Sequence, residues 1–108
     1  MAKVYLSGAI TGNPDAEQQF SKAEQYFKDR GYSVFNPLCL GKGKSYSEYM
    51  RRDIKELLDC DYICYVNDTQ SSCGAMVERN VAMVCGISEI TTQDMEGVTV
   101  HPYIPEPQ

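Results

Sequence analysis

The chain has one histidine, His101, and its five cysteines (Cys39, Cys60, Cys64, Cys73 and Cys85) include no CxxC pair. That scarcity argues against a zinc site, which needs clustered sulfur and imidazole ligands. Basic residues are also in deficit: 10 Lys and Arg stand against 15 Asp and Glu, for a formal charge of −5. Such a balance excludes a sequence-independent grip on a nucleic-acid polymer, which depends on cations neutralising phosphates. It leaves open a small anionic ligand, because a few backbone N–H groups can hold one phosphate without net positive charge. No segment approaches the roughly 18 consecutive apolar residues of a membrane span, and the short run at Val4, Tyr5 and Leu6 is no signal-peptide core. Repeats and low-complexity segments are missing too. The expectation is a cytoplasmic protein without a membrane partner, its thiols reduced and several of them filling the core.

What is present fits a single α/β domain. With 108 residues, 43% hydrophobic and 23% charged, the chain can build one core but not two. The domain is expected over residues 1–101, followed by an irregular tail, Pro102 to Gln108, with three prolines.

Lys3 to Ser7 reads as a first strand running into a turn-forming loop, Gly8 to Pro14. Asp15 is placed to cap a helix whose apolar positions Ala16, Phe20, Ala23 and Phe27 repeat at helical spacing and which stops at Gly31. Tyr32 to Asn36 reads as a second strand, closed by Pro37, and Leu38 to Ser45 as a loop. A second helix is expected from a cap at Ser47, with Met50, Ile54, Leu57 and Leu58 inward and Asp53 beside that stripe. Tyr62 to Val66 lacks polar alternation, as a central parallel strand covered on both faces should. After it come the loop Asn67 to Gln70, a third helix ending at Gly86, and short strands at Ile87 to Thr91 and Val98 to His101. This alternation predicts a flavodoxin-like three-layer sandwich with a parallel sheet of four or five strands, order 2-1-3-4(-5). Its ligand site should lie at the carboxyl ends of strands 1 and 3.

Within the third helix Glu78 is out of place. Its helical neighbours one turn away are Gly74, Ala75, Val81 and Ala82, all small or apolar. A carboxylate on the packed side of a helix needs either a partner or a chemical role, because an unpaired buried charge costs several kcal/mol, roughly. Asp53 is aimed toward the body of the protein, the alternative being a pair with Arg51, Arg52 or Lys55 at the exposed edge of its helix, and Ser72-Cys73-Gly74 leads into the Glu78 helix with N–H donors available to an anion. Glycines at the two loops allow close approach to the backbone.

The ordered set Tyr5-Leu6-Ser7-Gly8-Ala9-Ile10-Thr11-Gly12, then Tyr49-Met50-Arg51-Arg52-Asp53-Ile54 with Cys60-Asp61, then Ser72-x-Gly74-x-x-x-Glu78 with Ala82 and Gly86, resembles the nucleoside 2-deoxyribosyltransferase superfamily. The likeness runs from about Lys3 to Gly86 and is greatest to the small, often phage-encoded DUF4406 proteins. It implies that Glu78 attacks the anomeric carbon of a deoxynucleoside to give a glycosyl-enzyme ester, as carboxylate nucleophiles do in retaining glycosidases. It further implies that Tyr5 hydrogen-bonds the nucleophile, that Asp53 positions sugar and base, and that Ser72, Gly74 and the loop Gly8, Ala9, Ile10, Thr11 and Gly12 bind substrate. No metal and no cofactor are called for.

Position 72 bears on the branch. Transferases of the superfamily typically carry aspartate there, on the sugar 5′-hydroxyl, whereas the deoxynucleoside 5′-monophosphate N-hydrolases carry serine, on the phosphate. A hydroxyl tolerates a phosphate that a carboxylate would repel. The same hydrolases have Ser and Arg where this chain has Ala9 and Thr11, so the two loops point in different directions. The expected partner is a small nucleoside or nucleotide, and the resemblance implies a homo-oligomer, dimer or higher. The alternative is a protein that binds a nucleotide in the same cleft without turning it over. Tyr46, Tyr49, Phe35 and Met76 are the aromatic and soft side chains available to wall a base slot.

Overall fold

In the computed structural model, which describes residues 2–39, 43–67 and 72–90, the chain alternates strand and helix. The elements are β1 (Lys3–Ser7), α1 (Ala16–Asp29), β2 (Ser33–Phe35), a 3-10 turn (Pro37–Cys39), α2 (Tyr46–Leu58), β3 (Tyr62–Tyr65), α3 (Cys73–Cys85) and β4 (Ser88–Glu89). All the pairings are parallel and the order is β2-β1-β3-β4. This is the flavodoxin-like order expected of the first four strands. The strand expected at Val98 to His101 and the tail from Pro102 lie outside the described residues.

The period of two along β1 sorts the layers. Val4 and Leu6 pack with Phe20, Ala23 and Phe27 of α1 and with Cys64. Tyr5 faces the other way, into a cluster with Leu57 of α2, Ala82 of α3 and Ile63. Because helices cover both faces, β3 has no solvent side and needs no polar alternation. Register sets the ends level: Ser7 lies opposite Tyr65, so β1 and β3 finish together. No described helix is long and apolar enough to cross a membrane.

Helix boundaries depart from the sequence expectation in instructive ways. Asp15 sits at the N-cap of α1, but its side chain makes no capping bond. Asn13 organises that turn instead, accepting the Asp15 N–H at 3.1 Å and donating to the Ala9 carbonyl at 3.0 Å. The cap of α2 is Ser45, not Ser47. Ser45 has glutamate three residues on, so a reciprocal capping box forms: the Glu48 N–H donates to Ser45 Oγ at 3.3 Å and the Ser45 N–H to Glu48 Oε1 at 2.9 Å. Leu58, expected inward, is 52% exposed. Each helical residue turns about 100° from the last, so Leu57 and Leu58 cannot both face the sheet. Pro37 and Leu38 form part of a 3-10 turn rather than a plain loop. α3 ends as expected at Gly86, whose φ of 72° is the left-handed cap that glycine accepts without strain.

Candidate active site

The face of β1 that carries Tyr5 also carries Ser7, two residues on, and both reach α3. Tyr5 Oη donates to Glu78 Oε2 at 2.6 Å, and Ser7 Oγ donates to Glu78 Oε1 at 2.7 Å. All three side chains are buried: Tyr5 is 0% exposed, Ser7 1% and Glu78 6%. The Tyr5 ring is itself fixed by stacking on Phe35, with centroids 5.4 Å apart. Small residues make this approach possible, since Gly74, Ala75 and Ala82 form the buried face of α3 around Glu78. A Cβ at Gly74 would lie 2.9 Å from Tyr46 Oη and 3.1 Å from Met50 Sδ, so this glycine lets the start of α2 close against α3.

Burial pushes the Glu78 carboxyl up to about 7, against the hydrogen bonds from Tyr5 and Ser7, and the negative charge of Asp53 adds to the rise. The Tyr5 phenol is driven far above its ordinary range, first by burial and then by the Glu78 and Asp53 charges. It stays a neutral donor at physiological pH.

Asp53 comes from α2 and is likewise buried. Its partner is its own neighbour, Arg52, whose Nε and Nη2 donate to Oδ1 at 3.0 and 2.7 Å while Nη2 also donates to the Pro37 carbonyl at 3.3 Å. The guanidinium sits over the Tyr49 ring, 5.1 Å from its centroid. Burial raises the Asp53 carboxyl despite the opposing pull of Arg52.

These groups border a cleft of about 440 Å³. Glu78, Asp53 and Arg52 all belong to its lining. Gly8, Ile10 and Thr11 contribute from the loop after β1, Ser72 and Gly74 from the start of α3, and Tyr46, Tyr49 and Met50 from α2. Ser72 also caps α3, accepting the Ala75 N–H at 3.2 Å.

Not every residue singled out by sequence reaches this cleft. Tyr5 stands behind Glu78, and Ala9 and Gly12 are off the lining. The Ala9 N–H is taken up by Asn67 Oδ1 at 2.7 Å, and Asn67 Nδ2 returns a bond to the Ala9 carbonyl at 3.1 Å. That close docking explains Gly8: a Cβ there would come within 2.6 Å of Asn67 Oδ1. Of the four side chains considered for a base slot, Tyr46 and Tyr49 line the cleft. Phe35 instead backs Tyr5, and Met76 is off the lining and partly in solvent. Residues 40–42, within the loop expected from Leu38 to Ser45, and residues 68–71 lie outside the described residues. Among the described residues no three of His, Cys, Asp and Glu converge to hold a metal ion.

Sequence reasoning missed one residue, Ser7, although it had a usable signal in sharing the strand face of Tyr5. Of the cations open to Asp53 by sequence, Arg51, Arg52 and Lys55, the fold selects Arg52 and places the pair at a buried aspartate rather than at an exposed edge.

Solved structures share this architecture. Over 95% of this chain and 100% of the other, it superposes on a 2-deoxyribosyltransferase from Bacillus psychrosaccharolyticus with a TM-score of 0.71 at 20% identity. The 2-deoxyribosyltransferase of Leishmania mexicana gives 0.68 at 19% identity over 84% of this chain and 63% of that one. A CMP N-glycosidase of Clostridium botulinum gives 0.65 at 17% identity over 98% and 90%. No curated protein matches the chain by sequence. At such identities the likeness is one of fold. At the level of sequence the match is to DUF4406, a domain of unknown function, over residues 2–91, and the chain belongs to that family.

Proposed function

We propose that the cleft binds a 2′-deoxynucleoside or, by preference, its 5′-monophosphate, and that the protein breaks or transfers the N-glycosidic bond. The observation that carries this reading is the Glu78 carboxylate, buried in the lining of the cleft with a hydroxyl donor on each oxygen. A carboxylate so placed is a nucleophile in waiting, oriented and shielded yet not neutralised by a cation. Glu78 attacks the anomeric carbon as the C–N bond breaks. The base departs with the electron pair and takes up a proton, leaving a glycosyl ester on Glu78. Water or a second base then displaces the carboxylate, restoring it.

The remaining residues take roles by position. Tyr5 orients Glu78 from behind. Asp53, with Oδ1 engaged by Arg52, serves the sugar and base. Ser72 stands at the helix N-terminus where a 5′-phosphate is favoured, since that end offers a hydroxyl and backbone N–H groups. Tyr46, Tyr49 and Met50 supply an apolar wall suited to the face of a base. The loop Gly8 to Gly12 closes the other side through Gly8, Ile10 and Thr11. Support comes also from the activities named for two kinds of structural neighbour, 2-deoxyribosyltransferase and CMP N-glycosidase.

The test is base release from a panel of deoxynucleosides and their 5′-monophosphates, followed chromatographically, with Glu78→Gln beside the native protein. Release should be lost in the variant while nucleotide binding by calorimetry persists, and mass spectrometry should trap the sugar on Glu78. Tight binding without release by the native protein would establish the non-catalytic alternative instead.

A further inference from the structure

Ser7 ends β1, is 1% exposed, and has its backbone carbonyl occupied by the Val66 N–H at 2.9 Å. A buried serine needs only one acceptor, and a nearby backbone carbonyl ordinarily supplies it. Here the hydroxyl crosses from sheet to helix and donates to Glu78 Oε1 at 2.7 Å, on the oxygen that Tyr5 does not take. The difference matters for a carboxylate, whose terminal torsion is broad and soft. One donor leaves the group free to swing about that bond. Two donors, one per oxygen, fix its plane.

Resting on the reading of Glu78 as nucleophile, we propose that Ser7 is a positioning residue for it: its hydroxyl locks the carboxylate plane and favours the anion, so that an oriented nucleophile faces the cleft. The groups that bear on Glu78 are few. Tyr5 and Ser7 reach it from β1, and Asp53 faces it from α2 with the Arg52 guanidinium on Oδ1. Tyr5 and Ser7 stabilise the charge, while burial and Asp53 oppose it. Removing one hydroxyl therefore tips the balance toward the protonated acid.

The test is a ¹³C-NMR titration of the glutamate carboxyls in the full chain, with the Glu78 signal assigned through Glu78→Gln. In Ser7→Ala the Glu78 midpoint should rise by about one pH unit or more, the worth of a hydrogen bond to a charged group. Ser7→Thr keeps the hydroxyl and should bring the midpoint back toward the native value. Ser7→Cys, nearly isosteric with a weaker donor, should fall between and serves if the alanine variant folds poorly. The acid limb of kcat/KM should move with the midpoint. A midpoint unmoved in Ser7→Ala, even with a lowered melting temperature, would reduce Ser7 to packing and overturn the proposal. A midpoint that rises in a protein releasing no base would uphold the grip of Ser7 on Glu78 and sink only the catalytic reading.

Discussion

The two carboxylates of the cleft are equally buried, at 6% exposure each, but they are held by opposite means. Asp53 has a guanidinium on Oδ1, and Glu78 has two neutral hydroxyls. A cation favours the charge of its partner, although at Asp53 burial outweighs that pull and the carboxyl is still raised. Hydroxyls fix direction while leaving proton affinity adjustable, and burial brings Glu78 to about 7. Environments that treat two acids differently in one cleft are a mark of divided chemical roles. The contrast fits the proposed division, in which Glu78 makes the bond and Asp53 keeps a steady polar contact.

The change that breaks the comparison most severely is Glu78→Gln. On the proposed reading of Glu78 as nucleophile, its loss should lower kcat/KM on the order of a thousandfold or more, measured with whichever deoxynucleoside or nucleotide of the panel releases its base. Asp53→Asn, which keeps the shape and loses only the charge, should cost much less. If the two losses were equal, the division of labour would be wrong.

The second contrast is pH dependence. The Glu78 carboxyl rises from 4.5 to about 7 on folding, so across that window the folded chain holds more proton than the unfolded one. Its contribution to stability is complete below about pH 4.5 and is lost as pH climbs through about 7, a change of about 3 kcal/mol at most. Asp53, also raised, has the same sign. Urea midpoints near pH 5 and pH 8 should show the native protein weakening at the higher pH, and Glu78→Gln should remove most of that slope. A slope unchanged by the substitution would put its origin elsewhere.

Arg52 tests the other side. Arg52→Met leaves a buried aspartate without its cation and should destabilise by about 2 to 3 kcal/mol. Adding Asp53→Asn should recover part of the loss, giving a coupling of about 1 kcal/mol or more in equilibrium unfolding. Simple additivity would show that the pair does not act as a unit.

Much of this arrangement was legible in sequence, for identifiable reasons. Ala16, Phe20, Ala23 and Phe27 mark α1 because their spacing admits no other element, and the unbroken apolar run of β3 announces a strand covered on both faces. Glu78 stood out because its neighbours were too small and apolar for a solvated acid. What escaped were relations that depend on tertiary register. Ser7 meets Glu78 only when β1 lies beside α3, and the choice of Arg52 among the cations near Asp53, together with the burial of that aspartate, follows only when α2 packs onto the sheet. Ser45 was missed for a local reason: Ser45 and Ser47 are equally good caps by type, and only the glutamate at position 48 selects the first.

The smallest contrast is between two serines that start the helices carrying the two acids. Ser45 caps α2 through a reciprocal box away from the cleft lining, and Ser72 caps α3 with a single bond while lining the cleft. As caps they are alike, so Ser45→Ala and Ser72→Ala should each cost about 1 kcal/mol in thermal or urea unfolding. As ligands they differ. Ser72→Ala should in addition raise KM for a 5′-monophosphate by about tenfold, the loss expected for a hydrogen bond to a charged oxygen, and raise it less for the corresponding nucleoside. Ser45→Ala should leave both KM values near native. Matching KM values for the two variants, alongside matching stability losses, would make Ser72 a cap alone and remove the reason for preferring a nucleotide over a nucleoside.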